Sequence, residues 1–156
     1  MRRTFRVWSR LLPAASVGLL MGLRVYADQP QPFPYEFLAT PVEGPRDPSI
    51  EKHYTAQWSA CQTRAVSTQA NEACFAAEFA RHDKVLNRTW RSTLDRIAPQ
   101  SQRQLVAAQR KWIAQRDPFC KLQADKFRGG TIAPVVYVDC RVEQTIRRTM
   151  WLEQLR

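Results

Sequence analysis

Glycine is scarce in this chain, with five in 156 residues, and only Gly129 and Gly130 are adjacent. A glycine-rich loop that wraps phosphates is therefore absent. Histidine is scarcer still, at two, His53 and His82. Neither belongs to a His-Glu-x-x-His pattern, and no Gly-x-Ser-x-Gly elbow accompanies them, so nucleophilic and metal-assisted catalysis lack their usual motifs. The four cysteines, Cys61, Cys74, Cys120 and Cys140, include no Cys-x-x-Cys pair. Their separations of 13, 46 and 20 residues do not suit a zinc site, which takes closely spaced thiolates or imidazoles. No five consecutive residues carry one sign of charge, which removes the basic tail of many nucleic-acid binders. No apolar run approaches the roughly 20 residues of a membrane-spanning helix.

The N-terminus has a composition of its own. "MRRTFRVWSR" is basic, "LLPAASVGLLMGL" is an apolar stretch of 13 residues, and "VYA" sets small residues before a cut after Ala27. That order predicts a secretory signal peptide over 1–27. "RRTFR" also partly matches a twin-arginine signal. Five arginines and no acid leave with the leader, so the whole-chain charge of +10 falls to +5. In a small exported chain an even number of cysteines reads as disulfides, here two, with three connectivities open.

Residues 28–48 hold six of the ten prolines and read as an extended arm. The region 49–156 reads as one helical domain. Ser49 is a candidate cap for a short helix with Ile50, Tyr54, Trp58 and Cys61 along one stripe. From Thr68 to Ala98 there is no proline or glycine, and Phe75, Phe79, Leu86, Trp90, Leu94 and Ile97 recur at helical spacing. Pro99 stops that helix, and Ser101 is a candidate cap for the next. Leu105, Ala108, Trp112 and Ile113 continue the second helix up to Pro118, where a bend or restart capped by Asp117 is expected. "GG" ends it, "TIAPVVYV" reads as a β-prone connection, and a last helix starts near Asp139.

Long helices joined by short turns alternate in direction. The expectation is an all-α antiparallel bundle of three main helices and a short N-terminal one, stapled by two disulfides. Asp83 lies 16 residues before Pro99 and Arg116 lies 17 after it. At about 1.5 Å per residue they reach the same height, which predicts an Asp83–Arg116 ion pair between neighbouring helices. Leu86, Trp90 and Trp112 are assigned to the core, and Asn87 to a bond across the hairpin. Geometry also leaves Cys74 and Cys120 within about 6 Å along the bundle axis.

The residues Cys61, Asn71-Glu72-Ala73-Cys74, Asp83-x-x-Leu86-Asn87, Ala108-Gln109-Arg110-x-Trp112, Arg116-Asp117-x-x-Cys120, Gly129-Gly130, Cys140 and Thr145-x-x-Arg148 stand in an order that resembles the LprI-like lysozyme-inhibitor family. These are small exported helical proteins of bacteria. The similarity spans about residues 58–155. Trp90 replaces the Tyr usual there, and Pro118 replaces a small helix former. The resemblance implies a helical fold, export and a protein partner, with lysozyme the implied one. It also implies the pairing Cys61–Cys74 and, by subtraction, Cys120–Cys140.

Two functional readings follow from the sequence. In the first, the chain occludes the cleft of lysozyme or a related muramidase, where paired carboxylates do the chemistry. The candidate inhibitory loop then carries Arg128, Gly129, Gly130 and Thr131, tied down between Cys120 and Cys140. In the second, the chain is a periplasmic interaction module for an acidic protein or envelope component. Neither reading involves enzyme activity, a cofactor, a metal, nucleic acid, or a membrane span in the mature protein.

Overall fold

A computed structural model describes residues 46–155. The expected signal peptide and nearly all of the proline-rich arm lie outside the described residues. Five helices follow in order: α1 Pro48–Glu51, α2 Ala56–Arg64, α3 Thr68–Arg96, α4 Pro99–Asp125 and α5 Ala133–Gln154. Among the described residues there is no strand. The architecture is all-α, with three long helices, two short ones and two disulfides.

The N-terminal helical stripe is split in two. Asp47, not Ser49, caps α1, its carboxylate accepting from the Ser49 amide at 2.8 Å, with Pro48 at the first helical position. Thr55 then caps α2 by accepting from the Trp58 amide. The periodic pattern survives the break because Ile50, Tyr54, Trp58 and Phe75 still meet in one cluster. Ser67 caps α3 through the Ala70 amide. Pro99 both ends the space for α3 and starts α4, so Ala98 rather than Ser101 is the N-cap.

Two expectations about proline and valine are corrected. Pro118 lies inside a continuous α4, and Asp117 is not a cap. Proline removes the donor that Ala114 would receive, but Ala114 and Pro118 are both exposed, so water can satisfy that carbonyl. "TIAPVVYV" is not a β-prone connection, because α5 starts at Ala133 with Pro134 in its first turn. Val135, Val138 and Val142 enter the core with Ile50, Phe75 and Ile146. Burial outweighs the weak β-preference of valine.

Helix α5 is the centre of the fold. Half of its 22 residues are buried, on nearly all sides, and it packs against both α3 and α4. The chain-order hairpin of α3 and α4 is thus wedged open by the last helix. This explains why the expected Asp83–Arg116 pair does not form. The Arg116 Nε binds Asp117 Oδ1 at 2.7 Å instead, while Asp83 accepts from Asn87 Nδ2 through its carbonyl and carboxylate. Asn87 therefore bonds within α3 and not across a hairpin.

Two apolar clusters divide the bundle along its length. One joins Ile50, Phe75, Val135, Val138, Val142 and Ile146, with Tyr54, Trp58 and Phe79 against it. The other joins Leu86, Leu105, Trp112 and Leu152, with Trp90, Leu94, Ile97 and Trp151 against it. Both disulfides lie at the first end. Cys61–Cys74 ties α2 to α3 and Cys120–Cys140 ties α4 to α5, with Cα separations of 5.7 and 5.5 Å.

Candidate functional site

Three polar constructions serve the scaffold. The first is Glu78, fully buried on α3. Its oxygens accept from the Thr55 amide and hydroxyl, both at 2.7 Å, and from Arg81 Nε at 2.8 Å, with His82 Nε2 at 3.0 Å. Burial alone would raise the Glu78 carboxyl, but the bonds from Thr55 and Arg81 bring it below its usual value. His82 is pulled below its ordinary value by burial, against the pull of Glu78.

The second is Arg116, buried, with its guanidinium 5.2 Å from the ring centres of both Phe79 and Trp112. Asp117 is shared with Arg141 at 3.3 Å. The third is Arg148, with no exposed surface. Its Nε donates to Gln109 Oε1 at 2.7 Å and its guanidinium lies 4.1 Å from the Trp151 ring. Burial lowers its pKa to about 9. Leu86 and Trp112 are buried and Trp90 is half-buried against them. None of these groups offers a free polar face to a ligand.

The turn between α4 and α5 does. Arg128, Gly129, Gly130 and Thr131 are all exposed. Gly129 has φ +88°, a left-handed conformation that favours glycine, and a Cβ there would meet nothing within 4 Å. The Gly130 amide is used inside the turn, donating to the Phe127 carbonyl. Among the described residues the Gly129 and Thr131 amides have no backbone acceptor. The Arg128 side chain is 77% exposed and touches Asp125 at 3.3 Å. Asp125 also takes Lys121 Nζ at 2.8 Å, and that bond holds its carboxyl below the ordinary range. Such surface pairs are worth under about 1 kcal/mol, so Arg128 is only weakly held against Asp125.

Beside the turn, Pro118, Ala124, Ala133, Pro134 and Tyr137 line an apolar groove between α4 and α5, rimmed by Asp117 and Lys121. Ile132 is 37% exposed at its edge and Leu122 is 64% exposed on α4. Sequence reasoning missed this groove because it read "TIAPVVYV" as a connection. The available signal was the pair of prolines, Pro118 and Pro134, which a helix places at its surface. Among the described residues no group of His, Cys, Asp and Glu is placed to hold a metal.

The chain is 30% identical over 105 residues to uncharacterized protein R02472 of Rhizobium meliloti (strain 1021), an alignment covering 59% of this chain and 76% of that one. No solved structure matches it. Residues 59–152 match the family described as lysozyme inhibitor LprI. The match takes in the four helix-tethering cysteines, α3, α4, the exposed turn and all but the end of α5, and the chain belongs to the LprI lysozyme-inhibitor family.

Proposed function

We propose that this chain is an exported inhibitor that blocks lysozyme or a related muramidase by seating the Arg128–Thr131 turn in the enzyme's cleft. The observation that carries the reading is the exposed glycine turn, held between two helices that a disulfide ties together. A glycosidase cleft presents paired carboxylates. Arg128 and the Gly129 and Thr131 amides are donors of the kind those carboxylates accept. The adjoining apolar groove supplies what a polar turn lacks, since interfaces combine an apolar centre with a polar rim. Preorganisation matters equally, because a tethered turn loses little freedom on binding.

The chain's net positive charge argues at first against a basic lysozyme as partner. The distribution of that charge weakens the objection. Lys84, Arg88, Arg91, Arg96, Arg103 and Arg110 all lie on the halves of α3 and α4 nearest Pro99. Helix α4 has 27 residues, so these cations lie from about 20 Å to about 40 Å from the turn. Even the nearest is more than two screening lengths of about 8 Å away at physiological salt.

Lysis of bacterial cell walls by lysozyme, followed by turbidity, tests the proposal. Excess protein slows lysis, and an Arg128→Ala/Thr131→Ala variant with unchanged thermal stability loses that effect. Equal inhibition by the variant rules out the turn. No protection at concentrations of tens of micromolar rules out lysozyme as partner and leaves the interaction-module reading, with the same groove as its contact surface.

A further inference from the structure

The unstapled end of the bundle carries an interaction surface of different chemistry. Between residues 84 and 111 stand seven basic residues and a single acid, Asp95. All eight are exposed. Every ion pair described above involves residues outside this stretch. Lys84, Arg88, Arg91, Arg96, Arg103 and Arg110 have no acid within 4 Å among the described residues. Arg88 and Arg96 face a shallow groove with Thr89, Ser92, Glu153 and Leu155. The Arg96 guanidinium donates to Ser92 Oγ at 2.8 Å, which sets cations and hydroxyls side by side as donors for anionic oxygens.

We infer that this end docks the protein on an anionic lipid surface through the phosphates of its headgroups. Three features favour a lipid surface over other polyanions. The cations sit on two helices, on both sides of the Pro99 turn, and spread-out cations suit a field of mobile phosphates. Among the described residues the large exposed hydrophobics Val66, Leu122 and Ile132 lie toward the stapled end, and Ile113, one turn beyond Arg110, stands alone beside the cations, so an extended apolar centre of the kind a protein interface uses is missing. The local aromatics, Trp90 and Trp151, are packed against the Leu86 and Leu152 cluster, so they offer no platform on which bases stack. Docking by this end points the Arg128–Thr131 turn away from the surface. The inference stands independently of which partner the turn binds.

The test is co-sedimentation of the protein, as the cell accumulates it, with vesicles of phosphatidylcholine alone or with phosphatidylglycerol added. Binding to the anionic vesicles and its loss on raising salt are expected. Arg91→Glu/Arg103→Glu/Arg110→Glu lowers the partition coefficient at least about tenfold. Lys52→Glu/Arg64→Glu/Lys121→Glu, with the same change in net charge, lowers it less than about threefold. Circular dichroism establishes that both variants fold, and the glutamine versions replace any that does not. Equal losses in the two variants, equal binding to neutral vesicles, or tighter binding to duplex DNA than to anionic vesicles at the same salt would each overturn the inference.

Discussion

The two ends of this bundle solve the same problem with different materials. At the end that holds α1, α2 and the α4–α5 turn, covalent and ionic ties predominate. There are two disulfides, the Glu78 cluster, and the Arg46 contacts with Asp139 at 2.7 Å and Glu143 at 3.3 Å. At the Pro99 end, packing predominates: Leu105, Trp112 and Leu152 are almost wholly buried with Leu86. The difference follows from what each end displays. The stapled end has an apolar cluster of its own around Phe75 and Val142, but its short helices and exposed turn are held onto that cluster by the added ties. Three long helices converging on leucine and tryptophan bury enough, which leaves their outer faces free to carry unpaired charge.

The largest effect is expected where packing predominates. Trp112→Ala opens a cavity at 2% exposure and should cost about 3–5 kcal/mol, read as a drop in denaturant midpoint. Cys120→Ser/Cys140→Ser should follow, at about 3 kcal/mol in the chain-entropy treatment. Its second signature is weaker lysozyme inhibition, because the turn loses its tether. If the disulfide variant proves the more damaging to stability, the division of labour between the ends is wrong.

Acid should loosen the stapled end first. The folded His82 resists protonation, so the stability it contributes is complete above its ordinary value of about 6.5 and is lost as pH falls through the folded value. Glu78 acts in the same direction at lower pH, since its folded value is depressed below about 4.5. Glu143, raised by burial and by Asp139, acts in the opposite direction over the carboxylate range. The decline in melting temperature between about pH 7 and pH 5 should therefore flatten in His82→Gln. An unchanged slope would show that His82 is not its source. The smallest effect on stability is expected for Arg128→Ala, within about 0.5 kcal/mol, with its consequence confined to inhibition.

Much of this architecture is legible in the residues. The proline- and glycine-free run from Thr68 announces α3, and Pro99 announces the turn. The family pattern supplies the disulfide pairing that spacing leaves open. The position of α5 is not legible. Periodicity shows which face of a helix is buried, but not which neighbour buries it. A plain up-and-down hairpin therefore set Asp83 against Arg116. The amino acids that place α5 centrally are its own valines, which on propensity alone point to a strand. For the candidate site, the turn residues were readable from "GG" between two cysteines. The groove is not, because its second wall reads as a β-prone connection.

Arg46 has a bearing on how the molecule can be handled. Its guanidinium lies 4.5 Å from the Tyr54 ring centre and 5.4 Å from that of Trp58, and it pairs with acids near the start of α5. Residue 46 is thus fixed at the turn end, whereas Leu155 packs against the Leu86 and Leu152 cluster at the other. A fluorophore or immobilising tag joined after the last helix would shield the arginine-rich pole and leave the turn accessible. A graft at residue 46 would do the reverse. The orientation of the protein on a sensor chip is set by the choice of attachment point, and two chips would report on the two poles separately.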